Sequence, residues 1–574
     1  MPPESDAPGQ RPLRRLYQLD LRSLAAWRVA LALLLLTVWG AALTHAGAWY
    51  ADAGVLPRGL LFELSPASAA TLLASNGSRA FAAAWTLLGL AAALLLLAGW
   101  RSRMALAASL VLLASLIGRN PLVATGAEPA LLLLLLWALF LPLGARAAAD
   151  ASAGAPAAVR IETPIGAALL LQIVALHWLP ALGHSPQEWI DRLQPLVAGP
   201  RWGSALGRWL GTWHPQTLGV LLRLGWWLAA IGPPLLLIPF AQRLLRPLAL
   251  ALLAVLWLGV CLLLRAGLTP WVGWTSLLPL LPAGLWDYAA GRLALGDGLR
   301  LYHDDRCTRA GALALLCQWL LLPRARRLPT AGDRRAELLI ARQRCRLAID
   351  AGDRAHLGWD AWLLLLRASP LTGFWLAPLL RLPPLRATGT HAYRILQPAA
   401  LRMAWPRLPA PHAAALPGRA GTRLALAALV LFALAATGAR GLLPQPLARP
   451  LQAALLPLRL NPVPSPLAGM NLANGWFAAP ATRADGSRVD LLRDGTPLAF
   501  GAAAARQTLA QTQTGWRALQ DRLAATDSAA LAAAYSGWLC RRYGGGRQQH
   551  LRLVVVLGGA AGAEQHLLWQ GSCR

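Results

Sequence analysis

The sequence predicts a polytopic all-α membrane domain of about nine helices, with a mixed α/β cytoplasmic insert and a small α+β periplasmic C-terminal domain. Three observations carry this prediction. Of 574 residues, 56% are hydrophobic and 14% charged, far below the ~25% charge usual in soluble chains. Apolar runs long enough to cross a hydrocarbon core of about 30 Å recur through the first half. The arginines gather in the polar stretches between alternate runs.

Residues 1–23 form a cytoplasmic tail holding Arg11, Arg14, Arg15 and Arg22. Residues 24–290 are expected to hold eight spans: Leu24–Leu43, interrupted only by Arg28, then Ala80–Trp100, Met104–Ile117, Pro129–Ala145, Thr163–Ser185, Leu224–Gln242, Pro247–Leu264 and Ala266–Trp286. The first run has no small-residue cleavage site before the next polar stretch and reads as an anchor, not a removable signal. In lipid, backbone groups must bond one another, so the runs are read as helices. A ninth span is expected within residues 423–440.

Arginine placement orients the chain. The basic tail places the N-terminus in the cytoplasm, and eight crossings return the chain there. Residues 300–422 hold 19 arginines against 7 acids, which suits that side. The ninth span then sends residues 441–574 into the periplasm of a bacterial inner membrane. The net charge of +29 is thus a topology signal. With no nucleic-acid module in view, no nucleic-acid partner is expected, and the arginines are expected to meet anionic lipid headgroups.

All 54 basic residues are arginine, a bias that a GC-rich bacterial genome explains. The absence of lysine nevertheless excludes Schiff-base, P-loop lysine and lysine general-base chemistry. Six cysteines in a chain this long are too few for a disulfide framework. No zinc-ligand spacing, nucleophile elbow or phosphate-binding glycine loop occurs, and no metal site is expected.

Ionisable groups at membrane depth usually face a cavity or a partner. Arg28 lies in the first span, either snorkelling to the interface or facing inward. Asp52 and Arg58 follow that span, and Asn120 and Glu128 flank Gly126 between spans three and four. His177 lies inside span five and His184 at its end, two helical turns apart on one face. As a pair they could serve as a base or proton relay near neutral pH.

Several collinear stretches resemble the HTTM domain, the bacterial relatives of vitamin K-dependent gamma-carboxylase. They are Leu24-Ala-Ala-Trp-Arg28, Tyr50-Ala-Asp52-Ala-Gly-Val-Leu-Pro-Arg58, Arg119-Asn120-Pro-Leu-Val with Gly126, Trp137-Ala-Leu-Phe-Leu-Pro-Leu-Gly144-Ala-Arg146, Arg265-Ala-Gly267-Leu-Thr-Pro270-Trp271, and Leu281-Pro282 with Trp286-Asp287. The departures from the family matter as much. Its carboxylases place a lysine base at the end of span five, where this chain has Gly183-His184-Ser-Pro-Gln-Glu188-Trp189. A histidine titrates near 6.5 against about 10.4 for lysine. Pro121 and Trp257 stand where the carboxylases have further histidines. The resemblance implies a retained scaffold with carboxylase chemistry altered or lost.

In residues 298–418, a strand is expected at Leu299–His303, a helix at Ala310–Leu322, a strand near Cys345–Asp350 and a helix at Asp360–Leu366. The stretch Tyr302-His-Asp304-Asp305-Arg-Cys307-Thr-Arg-Ala310, with Gly358-Trp-Asp360-Ala361, Ser369-Pro370-Leu371, Gly389 and Tyr393-Arg394, resembles the DCC thiol-disulfide oxidoreductases. These are thioredoxin-like modules often joined to HTTM domains. Their chemistry needs two thiols at a helix start. Cys307 keeps the first and Ala310 replaces the second, so the motif is degenerate, and Cys317 lies too far along the chain to resolve Cys307.

The tail opens with prolines from Pro444 to Pro466. Strands are expected near Gly475–Ala478 and Val489–Arg493, a helix over Thr508–Tyr535, and a closing strand at Leu551–Leu557. Cys540 and Cys573 could pair in an oxidising periplasm. Two functions follow. The first is an accessory or scaffold membrane protein. The alternative is an embedded enzyme or maturation factor acting on a secreted peptide or a lipid-soluble, quinone-like cofactor, with His184, His177 and Glu128 as catalytic candidates and Asn120 and Arg28 lining the site.

Overall fold

The computed structural model describes residues 16–145, 148, 160–292, 299–303, 326–329, 333–343, 348–351, 354–368, 376–402, 421–424, 426–428, 475–483, 485–498, 513–526, 528–543, 548–559 and 562–573, with a few single residues besides. The Cys307/Ala310 motif, the expected helix after it, most of the 423–440 span and most of the proline-rich connection lie outside them.

Strand β1 (Gln18–Asp20) leads into helix α1 (Leu21–Thr44), whose start is fixed by the Asp20 side chain accepting from the Arg22 N–H. This satisfies one of the orphan donors of the first turn. Then follow α2 (Arg79–Ala98), α3 (Ser102–Arg119) and the shorter α4 (Ala127–Leu139). Strand β2 (Arg160–Glu162) precedes α5 (Pro164–Leu182), α6 (Pro186–Ala198), α7 (Ala205–Trp213), α8 (Pro215–Leu235) and α9 (Gln242–Leu263). Helices α10 (Thr269–Leu277) and α11 (Ala283–Arg292) close this part.

Six helices, α1, α2, α3, α5, α8 and α9, are long and apolar enough to cross a membrane. At 1.5 Å per residue the 18 residues of α3 span about 27 Å and the 24 of α1 about 36 Å. The chain is a polytopic helical membrane protein. Two expected spans take another form. The fourth is α4, only 13 residues long and packed chiefly against α3. The eighth, Ala266–Trp286, is not one helix. It stops at Leu277, makes a 3-10 turn over Leu278–Leu280 and restarts at Ala283. Pro279 and Pro282 lack the N–H that would continue the ladder. Arg246 Nε donates to the freed Leu280 carbonyl at 2.7 Å, and Ser23 Oγ to that of Leu281 at 3.0 Å.

Helix α1 packs against α2, and α8 packs against both α5 and α9. At the α1–α2 contact the bare backbone of Gly89 receives the Trp39 ring. The two ends of the bundle are built differently. At the start of α1, β1 pairs antiparallel with β2, with Leu19 opposite Ile161, and Arg22 binds Asp287 of α11 at 2.7 Å. At the other end, loops 45–57, 120–126, 199–204 and 264–268 meet the C-terminal domain.

The insert contains β3 (Arg300–His303), β4 (Arg326–Pro329), α12 (Arg334–Gln343), β5 (Ala348–Ala351), β6 (Arg354–Leu357), α13 (Trp359–Ala368), α14 (Leu376–Leu380) and α15 (Pro383–Arg402). Its sheet order is β4-β3-β5-β6, with β3 parallel to β4 and the other pairs antiparallel. The Gly358–Trp–Asp360 stretch and the Gly389/Tyr393 stretch meet here. Trp359 fills the space where a Gly389 side chain would stand, Tyr393 lies against Gly358, and Arg386 binds Asp360 at 2.8 Å.

The C-terminal domain has β7 (Gly475–Ala478), β8 (Pro480–Arg483), β9 (Arg488–Asp490), β10 (Thr496–Pro497), α16 (Thr514–Thr526), α17 (Ala529–Tyr543), β11 (Gln548–Gly559) and β12 (Gly562–Gly571). Its antiparallel sheet runs β10-β9-β8-β11-β12, and β7 also pairs with β11. The expected single helix is two, and the expected closing strand is followed by β12. Cys540 of α17 and Cys573, just past β12, form a disulfide with Cα atoms 5.5 Å apart.

Candidate functional site

The densest polar cluster is at the bundle end that meets the C-terminal domain. The Asp52 carboxylate accepts from Arg58 Nε at 2.8 Å and from the buried Arg119 Nη2 at 3.2 Å. Arg58 also donates to the Ser75 carbonyl at 2.9 Å, and the Asp52 N–H to that of Gly77 at 2.9 Å. Only glycine fits at position 77, because a Cβ there would overlap the Asp52 carboxylate. Asn120 Nδ2 donates to the Trp49 carbonyl at 2.8 Å, while its Oδ1 accepts from the Leu122 N–H at 3.1 Å. Gly126 is the N-cap position of α4. Charge-assisted bonds, the stronger kind of hydrogen bond, thus knit Asp52, Arg58, Ser75 and Arg119, and neutral bonds add Gly77 and the Asn120–Trp49 pair.

No hydrogen bond or ion pair joins the three catalytic candidates to one another. Glu128 sits in the first turn of α4, where Oε2 accepts from the Thr125 N–H and Oγ1, both at 2.7 Å. That is a capping role, satisfying the orphan donor at a helix start. His177 is buried in α5 and its Nδ1 lies 2.8 Å from the Ile173 carbonyl. A carbonyl only accepts, so Nδ1 carries the hydrogen. Its Nε2 faces Ser276 Oγ at 3.4 Å, a hydroxyl also 2.6 Å from the Gly273 carbonyl, and the ring meets the Trp257 edge with centroids 5.8 Å apart.

His184 lies past the end of α5 with its side chain 39% exposed. Its Nε2 accepts from Arg192 Nη1 at 3.3 Å, because a guanidinium only donates. Glu188 stands 4.0 Å from the other ring nitrogen, with the same Oε2 taken by the Ser185 N–H in a capping box. The partner sets of Glu128, His177 and His184 have no residue in common. Arg28 is fully buried against Gly99, not turned out to the interface. Cys307 lies outside the described residues.

A second cluster escaped sequence reasoning. Arg201, after α6, donates through Nε to Asp521 of α16 at 2.5 Å and through Nη2 to Gln520 Oε1 at 3.0 Å. Trp202 Nε1 donates to the other Asp521 oxygen at 2.9 Å, and Arg517 stacks over the Trp202 ring at 4.7 Å. Arg517 Nη1 also donates to the Arg201 carbonyl at 3.0 Å. Burial lowers the Arg517 guanidinium to about 10. The only signal in the sequence was Arg517 and Asp521 four apart on one helix face, a spacing that surface pairs share.

Beside this cluster, His45 stacks on Trp49 with centroids 4.4 Å apart and approaches Trp516 edge-on at 6.1 Å. Burial holds its imidazole below the ordinary value, and the neighbouring Arg542 charge adds to the shift. Burial raises the Tyr50 phenol. Among the described residues, no group of three or more His, Cys, Asp or Glu gathers as a metal site.

The fold and these sites define a multi-pass helical membrane protein with a soluble domain docked on one end of its bundle. No family model matches the chain, and no curated protein or solved structure is similar to it.

Proposed function

We propose that this is an HTTM-like integral membrane protein serving as a scaffold or accessory factor, with carboxylase chemistry lost or altered. The observation that carries this reading is the separation of Glu128, His177 and His184 into three partner sets, two of which serve helix capping or packing. A base needs to lie within hydrogen-bond reach of its proton, and catalysis by these three would require a common centre. By contrast, the motif residues Asp52, Arg58 and Asn120 are all used in joining loops, and Gly126 starts a helix.

The finer architecture belongs to the same proposal. The insert is a thioredoxin-like, DCC-type module, a reading supported by its β4-β3-β5-β6 order, with a parallel pair and a closing hairpin. Nine spans, an inner-membrane location, a cytoplasmic N-terminus and a periplasmic C-terminus are supported by the arginine distribution. The opposite placement of β1 and the C-terminal domain on the bundle supports the same topology.

Complementation of a deletion strain tests the function. A His177→Ala/His184→Ala/Glu128→Gln variant that reaches the membrane folded should retain the wild-type phenotype, whereas loss of the docked domain should abolish it. Loss of function in the folded triple variant would favour the enzyme reading instead.

A further inference from the structure

Exposed apolar side chains and arginines alternate around the junction of α14 and α15. Leu379, Leu382 and Leu385 are 48%, 49% and 37% exposed, although large aliphatic residues are usually buried. Beside them opens a cleft of about 520 Å³ lined by Arg381, Pro383, Arg386, Ala387, Thr390 and His391. Asp360 fixes Arg386 by accepting from its Nε at 3.2 Å and Nη2 at 2.8 Å, and Arg381 lines the same cleft. Leucines flanked by arginines are the composition of a membrane-interface segment, in which apolar tips enter the acyl boundary and charges meet headgroups.

Connectivity keeps the start of the insert close to the spanning helices. Helix α11 is bound to the first turn of α1 through Asp287 and Arg22, and only six residues separate Arg292 from Leu299, a reach of about 25 Å at most. Across 300–422 the 19 arginines against 7 acids complement an anionic leaflet. We propose that the α14–α15 junction docks on the bilayer that holds the spanning helices, with the Arg381/Arg386 cleft taking the phosphate of an anionic phospholipid headgroup. Arg381 suits that phosphate because its planar fork can donate two parallel bonds to it, while Arg386, held by Asp360, adds charge at the cleft wall.

Hydrogen–deuterium exchange of the full chain in nanodiscs tests this. Residues 376–394 should exchange more slowly in discs containing phosphatidylglycerol than in phosphatidylcholine discs. Arg381→Gln should weaken that protection about fivefold, as expected for one charge at a lipid surface, and Arg354→Gln on β6 should leave it intact. Unchanged exchange of β3 and β5 in Arg381→Gln would show that the insert is still folded, and Arg381→Ala serves as the second variant if it is not. Equal exchange in the two lipids overturns the proposal, as does protection insensitive to both Arg381 variants. Protection produced in phosphatidylcholine discs by inorganic phosphate alone would also overturn it, assigning the cleft to a free anion.

Discussion

Arg201 Nε donates to Asp521 Oδ1 at 2.5 Å, with side chains 1% and 0% exposed, and joins residues 320 positions apart. Every polar atom of the Asp521 carboxylate has a partner, since Trp202 takes the second oxygen. A buried pair so satisfied contributes little net stability over an apolar replacement, but removing one member strands a buried charge.

Asp521→Ala should therefore destabilise the chain by about 3–5 kcal/mol. The damage should appear first as undocking of the C-terminal domain, with residues 475–573 becoming protease-sensitive while the spanning helices persist. Thermal unfolding in detergent and limited proteolysis measure both; wild-type resistance of that domain would refute the docking role.

The Cys540–Cys573 bridge closes a loop with a sequence separation of 33, linking α17 to the end of β12. Loop-closure entropy assigns such a bridge about 3–4 kcal/mol. Cys540→Ser/Cys573→Ser should lower the melting temperature of the domain. Alkylation of the unreduced, unfolded wild-type chain should leave both cysteines unmodified by mass spectrometry.

Gly89 gives way to the Trp39 ring at the α1–α2 contact. Gly89→Val should cost about 1–3 kcal/mol through overpacking and shift the detergent melting temperature accordingly. Gly40→Ala on α1, where a Cβ meets nothing within 4 Å, should cause no loss.

Asp490 caps the turn after β9, accepting from the Ala479 and Leu492 N–H groups at 3.0 Å each. Burial raises its carboxyl above the ordinary 3.8. Its contribution is fully present below 3.8 and is lost as pH rises through the folded value. Asp490→Asn keeps an acceptor oxygen without ionising, so its stability relative to wild type should grow between pH 4 and pH 7. A relative stability constant across that range would refute the assignment.

The spanning helices were legible because lipid demands long apolar runs, and the runs show in the sequence. The start of the short helix α6 went unread, although Ser185 with Glu188 is the local signature of a helix start. The eighth expected span failed because apolar composition outweighed Pro279 and Pro282, between which the Leu280 and Leu281 carbonyls found donors on Arg246 and Ser23. The Asp52/Arg58 element was legible as a motif, but its third member, Arg119, was visible only as a neighbouring motif residue.

By itself the sequence determined that the chain lives in a membrane, that the missing lysines bar amine chemistry, and that the insert lacks a second thiol beside Cys307. Only the tertiary structure decided which partners Glu128, His177 and His184 each take, and that Arg201 meets Asp521. The physical reason is range. Apolar length and residue identity are local properties of the chain, whereas convergence and burial of polar side chains depend on contacts hundreds of residues apart, which no spacing encodes.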